Sequence, residues 1–171
     1  MKTPNFNNKE LLLYVEFMLN QFRRTDGFWF LGVENTYGYD AAIKMNEEIW
    51  HRMGKSMARE IKERFSIEQK GMKGLAKVLE YYPWAMISGH EIETNDEEII
   101  VSVPHCASQE ARLKRGLGEY SCRYMHFKEF TSIIEEIDRN IYVECLFAPP
   151  DPHPKELFCK WRFTMNRDNI A

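Results

Sequence analysis

Two alternating runs near the C-terminus most restrict what this chain can fold into. Ile141-Tyr-Val-Glu-Cys-Leu-Phe147 and Leu157-Phe-Cys-Lys-Trp-Arg-Phe163 flank the nine-residue segment Ala-Pro-Pro-Asp-Pro-His-Pro-Lys-Glu. Side chains alternate faces along a strand, so Ile141, Val143, Cys145 and Phe147 share one face, as do Leu157, Cys159, Trp161 and Phe163. Both arms therefore carry an apolar odd-numbered face, the pattern of an antiparallel hairpin lying on a core. Symmetric closure of the loop predicts Cys145 opposite Cys159 and Val143 opposite Trp161. On the wet face it predicts Glu144 opposite Lys160 and Tyr142 opposite Arg162, so that opposite charges meet.

The first half has helical periodicity. Asn7 with Glu10 three residues later forms a capping-box pattern, Phe6 can staple onto Leu11, and Leu11, Val15, Met18, Leu19 and Phe22 follow a period near 3.6. A first helix over 6–24 is expected to stop at Thr25-Asp26-Gly27. The short run Phe28–Val33 fits a buried strand or a helical turn equally well. Asp40 can cap a long helix to about Phe65 with Ile43, Trp50, Met53, Met57 and Ile61 inward. Ser66 with Gln69 predicts a third helix, closed by Pro83.

From Trp84 the pattern changes. Met86, Ser88, His90 and Ile92 are expected to pair with Ile99, Val101 and Val103 around a turn at 94–97, with Ile92 beside Ile99 and His90 beside Val101. A helical stretch around 109–117 and a fourth helix over about 120–137 precede the terminal hairpin. The predicted class is α+β: a helical N-terminal half, then an antiparallel sheet of about four strands covered by helices on one face, in a single domain over 1–171. No internal repeat or linker is visible.

Charge and cysteine content narrow the function classes. A net charge of -3 with interleaved signs gives no basic footprint for nucleic acid. The densest basic stretch, Arg112, Lys114, Arg115, Arg123 and Lys128, reads as a solvated face or an anion contact. With no signal-peptide pattern and no apolar run of about 20 residues, a cytoplasmic setting away from membranes is expected. In that compartment four cysteines point to buried thiols, metal ligands or nucleophiles rather than disulfides.

Cys122 and His126 stand four apart on one helical face, spaced to grip one ion. With Cys145 and Cys159 they would make a three-sulfur, one-nitrogen zinc site. For covalent chemistry the candidates are Cys122, at a helix start with His126 near, and Cys106, which needs a histidine from elsewhere, His90 or His153. Prolines stiffen the loop that presents Asp151 and His153, and Asp151 could orient His153. Trp29, Trp84 and Trp161, with His90, are candidates for lining a small-molecule pocket, or are plain core. Glu48-x-x-His51 lacks the second such pair that a di-iron bundle requires.

The stretch from His105-Cys106 through Cys122 to Cys159-Lys-Trp161-Arg-Phe163 resembles the L-2-amino-thiazoline-4-carboxylic acid hydrolase-like family: a Cys before a helix, a Cys at a helix start, and a final Cys-x-aromatic-x-aromatic strand. That resemblance implies hydrolysis of a cyclic C–N or C–S bond in a small amino-acid-like substrate, with Cys106 or Cys122 as nucleophile. The final strand and Cys122 are also similar to the 4-vinyl reductase domain, a small-ligand module that in some sensors holds zinc through cysteines. The Trp29-Phe-Leu-Gly-Val-Glu34 run resembles an uncharacterised prokaryotic family of cytosolic proteins.

The leading expectation is a cytosolic protein that holds a small molecule or a metal in a cysteine-lined space between a helix and the terminal hairpin. The alternatives are the cysteine hydrolase, and a structural, homo-oligomer-forming protein with inert thiols.

Overall fold

A computed structural model describes residues 4–95 and 97–165. Ten elements follow in order: α1 (Asn8–Tyr37), α2 (Tyr39–Arg64), α3 (Gly71–Glu80), α4 (Pro83–Ser88), β1 (Glu91–Thr94), β2 (Glu98–Val103), α5 (Ala107–Lys114), α6 (Arg123–Ile137), β3 (Ile141–Phe147) and β4 (Cys159–Met165). The architecture is α+β, with a helical first half and a four-stranded antiparallel sheet of order β1-β2-β4-β3.

The capping box forms as read: Asn7 Oδ1 accepts from the Glu10 N–H and Glu10 Oε2 from the Asn7 N–H, both at 3.0 Å. Thr25-Asp26-Gly27 does not end that helix. It runs on for ten further residues through Phe28–Val33 and stops only at Gly38, whose φ of 89° begins the turn into α2. A mid-helix glycine costs about 1 kcal/mol relative to alanine. Burial of Phe30, together with Trp29 and Val33 packed against Trp50, Tyr120 and Met125, outweighs that cost. Asp40 consequently lies inside α2 and caps nothing. Ser66 takes a positive φ of 52°, so the third helix starts later, at Gly71.

Pro83 opens a helix rather than merely closing one. It sits at the first position of α4, where its missing N–H is harmless, so Met86 and Ser88 are helical and not in a strand. Gly89, in the left-handed conformation, then turns His90 toward β1. Asn95 Oδ1 accepts from the Glu97 and Glu98 N–H groups, both at 2.8 Å, and fixes the hairpin two residues away from the expected pairing: Ile92 faces Val101 and Thr94 faces Ile99.

The terminal hairpin is displaced by two residues as well. Cys145 faces Trp161, Val143 faces Phe163, Tyr142 faces Thr164 and Glu144 faces Arg162. An irregularity between Cys145 and Phe147 and the asymmetric proline loop set this pairing. Because the slip is an even number as far as Cys145, the apolar face survives it there, whereas the irregularity beyond Cys145 sets Phe147 against Lys160 and takes it off the face it was expected to share. Ile99, Val101, Cys159, Trp161, Phe163 and Val143 are all buried, beneath Phe130, Ile133 and Ile137 of α6 and Leu75 and Val78 of α3. The far face carries the forked Arg162–Glu144 pair.

Behind α6 lies α2, and the two approach closely at Gly54. A Cβ there would stand 2.5 Å from Ser132 Oγ and 2.7 Å from the Glu129 carbonyl. Outside this packing, the first turns of α1 project away from the body: Leu12, Leu13 and Phe17 are each more than half exposed. Among the described residues no helix is long and apolar enough to cross a membrane.

Candidate functional site

Two hydrophobic clusters meet near Trp84. One is the sheet core, and the other is built by Phe30, Ala42, Trp50, Tyr120, Cys122 and Met125. Along their seam lie two adjoining spaces. An outer vestibule of about 380 Å³ opens between the middle of α1 and α5, with Arg23, Arg24, Phe28, Asn46, Arg112 and Arg115 in its wall. An inner chamber of about 40 Å³, room for a water-sized occupant, lies among α6, β4 and the ends of α4 and α5. Asp26, Ser108 and Tyr120 stand in the walls of both.

The chamber collects most of the residues singled out in the sequence. Cys106, Cys122, Cys159, His126, Trp84, His90 and Trp161 all line it. Four expected site residues lie elsewhere. Trp29 packs on the second cluster, outside both spaces. Cys145 is carried away from Cys159 by the pairing that sets it against Trp161. Asp151 does not orient His153: it pairs with Arg123 at 2.7 Å, while His153 Nε2 meets Glu119 at 3.0 Å. Those ion pairs give the proline loop a structural anchorage.

Local geometry places the sulfurs. Cys106 is the residue before α5 and Cys122 the residue before α6, with the Cys122 N–H donating to the Pro149 carbonyl at 3.2 Å. Gln109, fully buried, clips the intervening segment: its Nε2 donates to the Tyr120 carbonyl at 2.8 Å, its Oε1 accepts from the Tyr120 N–H at 3.0 Å, and Nε2 also lies 3.4 Å from Cys122 Sγ. Burial is the first cause acting on every thiol here. It pushes Cys159 up to about 12, Cys145 to about 11, and Cys122 well above the ordinary range. At Cys106 burial outweighs the Ser108 and Gln109 backbone N–H groups that favour a thiolate, so its acidity is lowered too. All four are free thiols.

Glu129 and His126, both in the chamber wall, belong to a hydrogen-bonded chain with Tyr82 that the sequence reading missed. Glu129, 2% exposed, accepts the Tyr82 hydroxyl proton at 2.6 Å through Oε1 and meets His126 Nδ1 at 2.7 Å through Oε2. The His126 ring stacks on Phe130 and presents an edge to Trp161. Burial, with His126 nearby, holds His90 down to about 4, so it is neutral at pH 7. Burial raises Asp26 to about 6; Glu129 adds to the rise, while a hydrogen bond with Trp50 and the charge of His126 oppose it. Asp26 is therefore a carboxyl held above its ordinary range at the junction of the two spaces.

One signal for Asp26 was present in the sequence. It continues the i, i+4 stripe Phe22, Asp26, Phe30, so a carboxyl falls where an apolar residue belongs once the helix is carried past Gly27. Glu129 similarly interrupts the inner face of α6 between Met125 and Ile133. Among the described residues no three His, Cys, Asp or Glu side chains are grouped as a metal-ligand set.

No curated protein matches the chain. A family model does match, over residues 5–165 and hence almost every described residue. The chain belongs to a family of unknown function, DUF6125.

Proposed function

We propose that the chain binds a small molecule in the vestibule, with the chamber contacting the ligand's inner end. The observation that carries this reading is the shared wall: Asp26, Ser108 and Tyr120 border both spaces. The vestibule size suits a small organic ligand. Gly27 lies in the vestibule wall, and a Cβ there would meet nothing within 4 Å, so a larger side chain at this position can be placed at the cavity.

Gly27→Leu provides the test. It should fold at least as stably as the wild type while occupying the vestibule. A fragment library screened by amide chemical shifts should give ligands that move Gly27, Ser108 and Ala111 in the wild type, with Ser108 and Ala111 silent in G27L. Fragments that never perturb this wall, or that bind G27L equally well, would defeat the reading.

A zinc form of the site would draw on Cys122, His126 and Cys159 of the chamber wall, without Cys145, and these side chains would have to close on the ion because they are not grouped as a ligand set. Stoichiometric zinc in protein purified without a histidine tag is its test. The hydrolase reading is supported by Cys106 and Cys122 sharing the chamber wall with His90 and His126. It requires one thiol to be alkylated by iodoacetamide far faster than the others at neutral pH. Self-association is supported by the exposed apolar turns of α1, including Leu12 and Phe17, and light scattering tests it.

A further inference from the structure

The vestibule carries more positive charge than its surroundings neutralise. Arg112 is paired: its guanidinium meets both Glu34 oxygens, at 2.5 and 3.1 Å. Arg23, Arg24 and Arg115 have no carboxylate within 4 Å among the described residues; Arg23 donates only to Asn20 Oδ1, at 3.3 Å. Three arginines without a carboxylate partner therefore line one cavity of a chain whose net charge is -3, Arg24 and Arg115 at exposed positions. Facing them is one acid, Asp26. A second, independent observation comes from Asn46. It is 3% exposed, belongs to the same wall, and its Oδ1 is buried without a hydrogen-bond donor among the described residues. A buried polar atom left unpaired is costly, and a donor brought by a ligand would satisfy it once the Asn46 amide turns its covered Oδ1 toward the vestibule.

We infer that the vestibule takes a small organic oxyanion, its carboxylate or phosphate held by Arg23, Arg24 and Arg115, which also offers an O–H or N–H to Asn46 Oδ1. The inference rests on the small-molecule reading above and adds the chemical class. Guanidinium forks match the two oxygens of a carboxylate or a phosphate. Phe28 and Phe30, in the same wall, provide apolar surface for the ligand body between these polar ends.

Benzoate, phenyl phosphate, meta-hydroxybenzoate and the neutral benzyl alcohol, titrated into the full chain and followed by amide shifts at low and high salt, test this. At least one of the two simple anions should bind roughly tenfold or more tightly than benzyl alcohol, and that advantage should shrink at high salt. The better of benzoate and phenyl phosphate identifies the oxyanion. The double variant R24Q/R115Q, altered at exposed positions, should lose the advantage while still binding benzyl alcohol. Meta-hydroxybenzoate should exceed benzoate several-fold in the wild type and not in N46L; where N46L does not fold, the wild-type comparison decides. Anions that bind no better than benzyl alcohol, with R24Q/R115Q unchanged, would overturn the oxyanion class and leave the small-molecule reading standing. If no probe of either charge reaches the wall, and the fragment library is equally silent, both fall.

Discussion

The Tyr82 hydroxyl, at the start of α4, donates to Glu129 on α6 across 2.6 Å of fully covered space, and the second Glu129 oxygen is taken by His126. Only paired carboxylates survive such burial. Tyr82→Phe removes one donor without opening a large cavity, leaving a buried oxygen unsatisfied. The expected loss is about 1–3 kcal/mol of stability, read from urea unfolding as a lower midpoint at unchanged slope. A variant as stable as the wild type would mean that Glu129 is held by His126 alone.

Gly54 sets how closely α2 approaches α6, and so where Glu129 and His126 stand. Its absent Cβ would overlap both the Ser132 hydroxyl and the Glu129 backbone carbonyl. Gly54→Ala should therefore destabilise by about 1–3 kcal/mol despite alanine's better helix propensity. Adding Ser132→Ala should recover only part of the loss, since the carbonyl clash persists. Thermal unfolding of the two variants checks this; full recovery in the double variant would locate the whole conflict at the hydroxyl.

Asp26 and His90 give opposite dependences on pH. A carboxyl raised from 3.8 to about 6 binds more protons in the folded state between those values, so its contribution to stability falls as pH rises through that window and stays low above it. His90, lowered from 6.5 to about 4, acts the other way: the unfolded chain takes the proton first, and stability falls as pH drops through that window. Asp26→Asn should thus be more stable than the wild type by about 1–3 kcal/mol at pH 7, the gap closing toward pH 4. Denaturation across pH 4–8 measures it, and a gap that does not vary with pH would show that Asp26 ionises at its ordinary value.

The sequence-based reading succeeded where period alone decides. The α+β class, the capping box at Asn7 and the shared apolar face of Ile141, Val143, Trp161 and Phe163 follow from local pattern and side-chain direction, while the irregularity after Cys145 sets Phe147 against Lys160 instead. It failed where packing overrode a local signal. Gly27 looked like a stop, yet Phe30 buried beyond it holds the helix together, and that one misplaced boundary hid Asp26 in a turn. Cys106, Cys122 and Cys159 do converge, but Cys145 drops out because a strand pattern fixes parity, not pairing. Glu129 was hidden for another reason: a lone acid on a helix reads as solvated until its partner, Tyr82, 47 residues earlier, is seen above it.

Arg112 and Glu34 join the two walls of the vestibule, α5 to α1. The Arg112 side chain is 8% exposed, forks onto the carboxylate, and lies within 6 Å of the Phe30, Tyr39 and Tyr120 rings. Breaking such a pair costs more than never having had it, because the surviving charge stays covered. Arg112→Ala should destabilise by about 3–5 kcal/mol. Arg112→Lys should be nearly as damaging, since an ammonium cannot fork onto two oxygens and is a more strongly hydrated charge to hold beside the rings. Replacing both partners by apolar residues of similar size, as in R112M/E34L, should recover most of the stability. It should nevertheless alter oxyanion binding, because the wall that carries Arg115 is then held to α1 by packing instead of a directional fork. Urea denaturation of the single and double variants, with benzoate and phenyl phosphate titrations on the double, separates the two roles. A double variant that unfolds as readily as R112A would show that the aromatic stacking, not the uncompensated Glu34 charge, is what the single substitution removes.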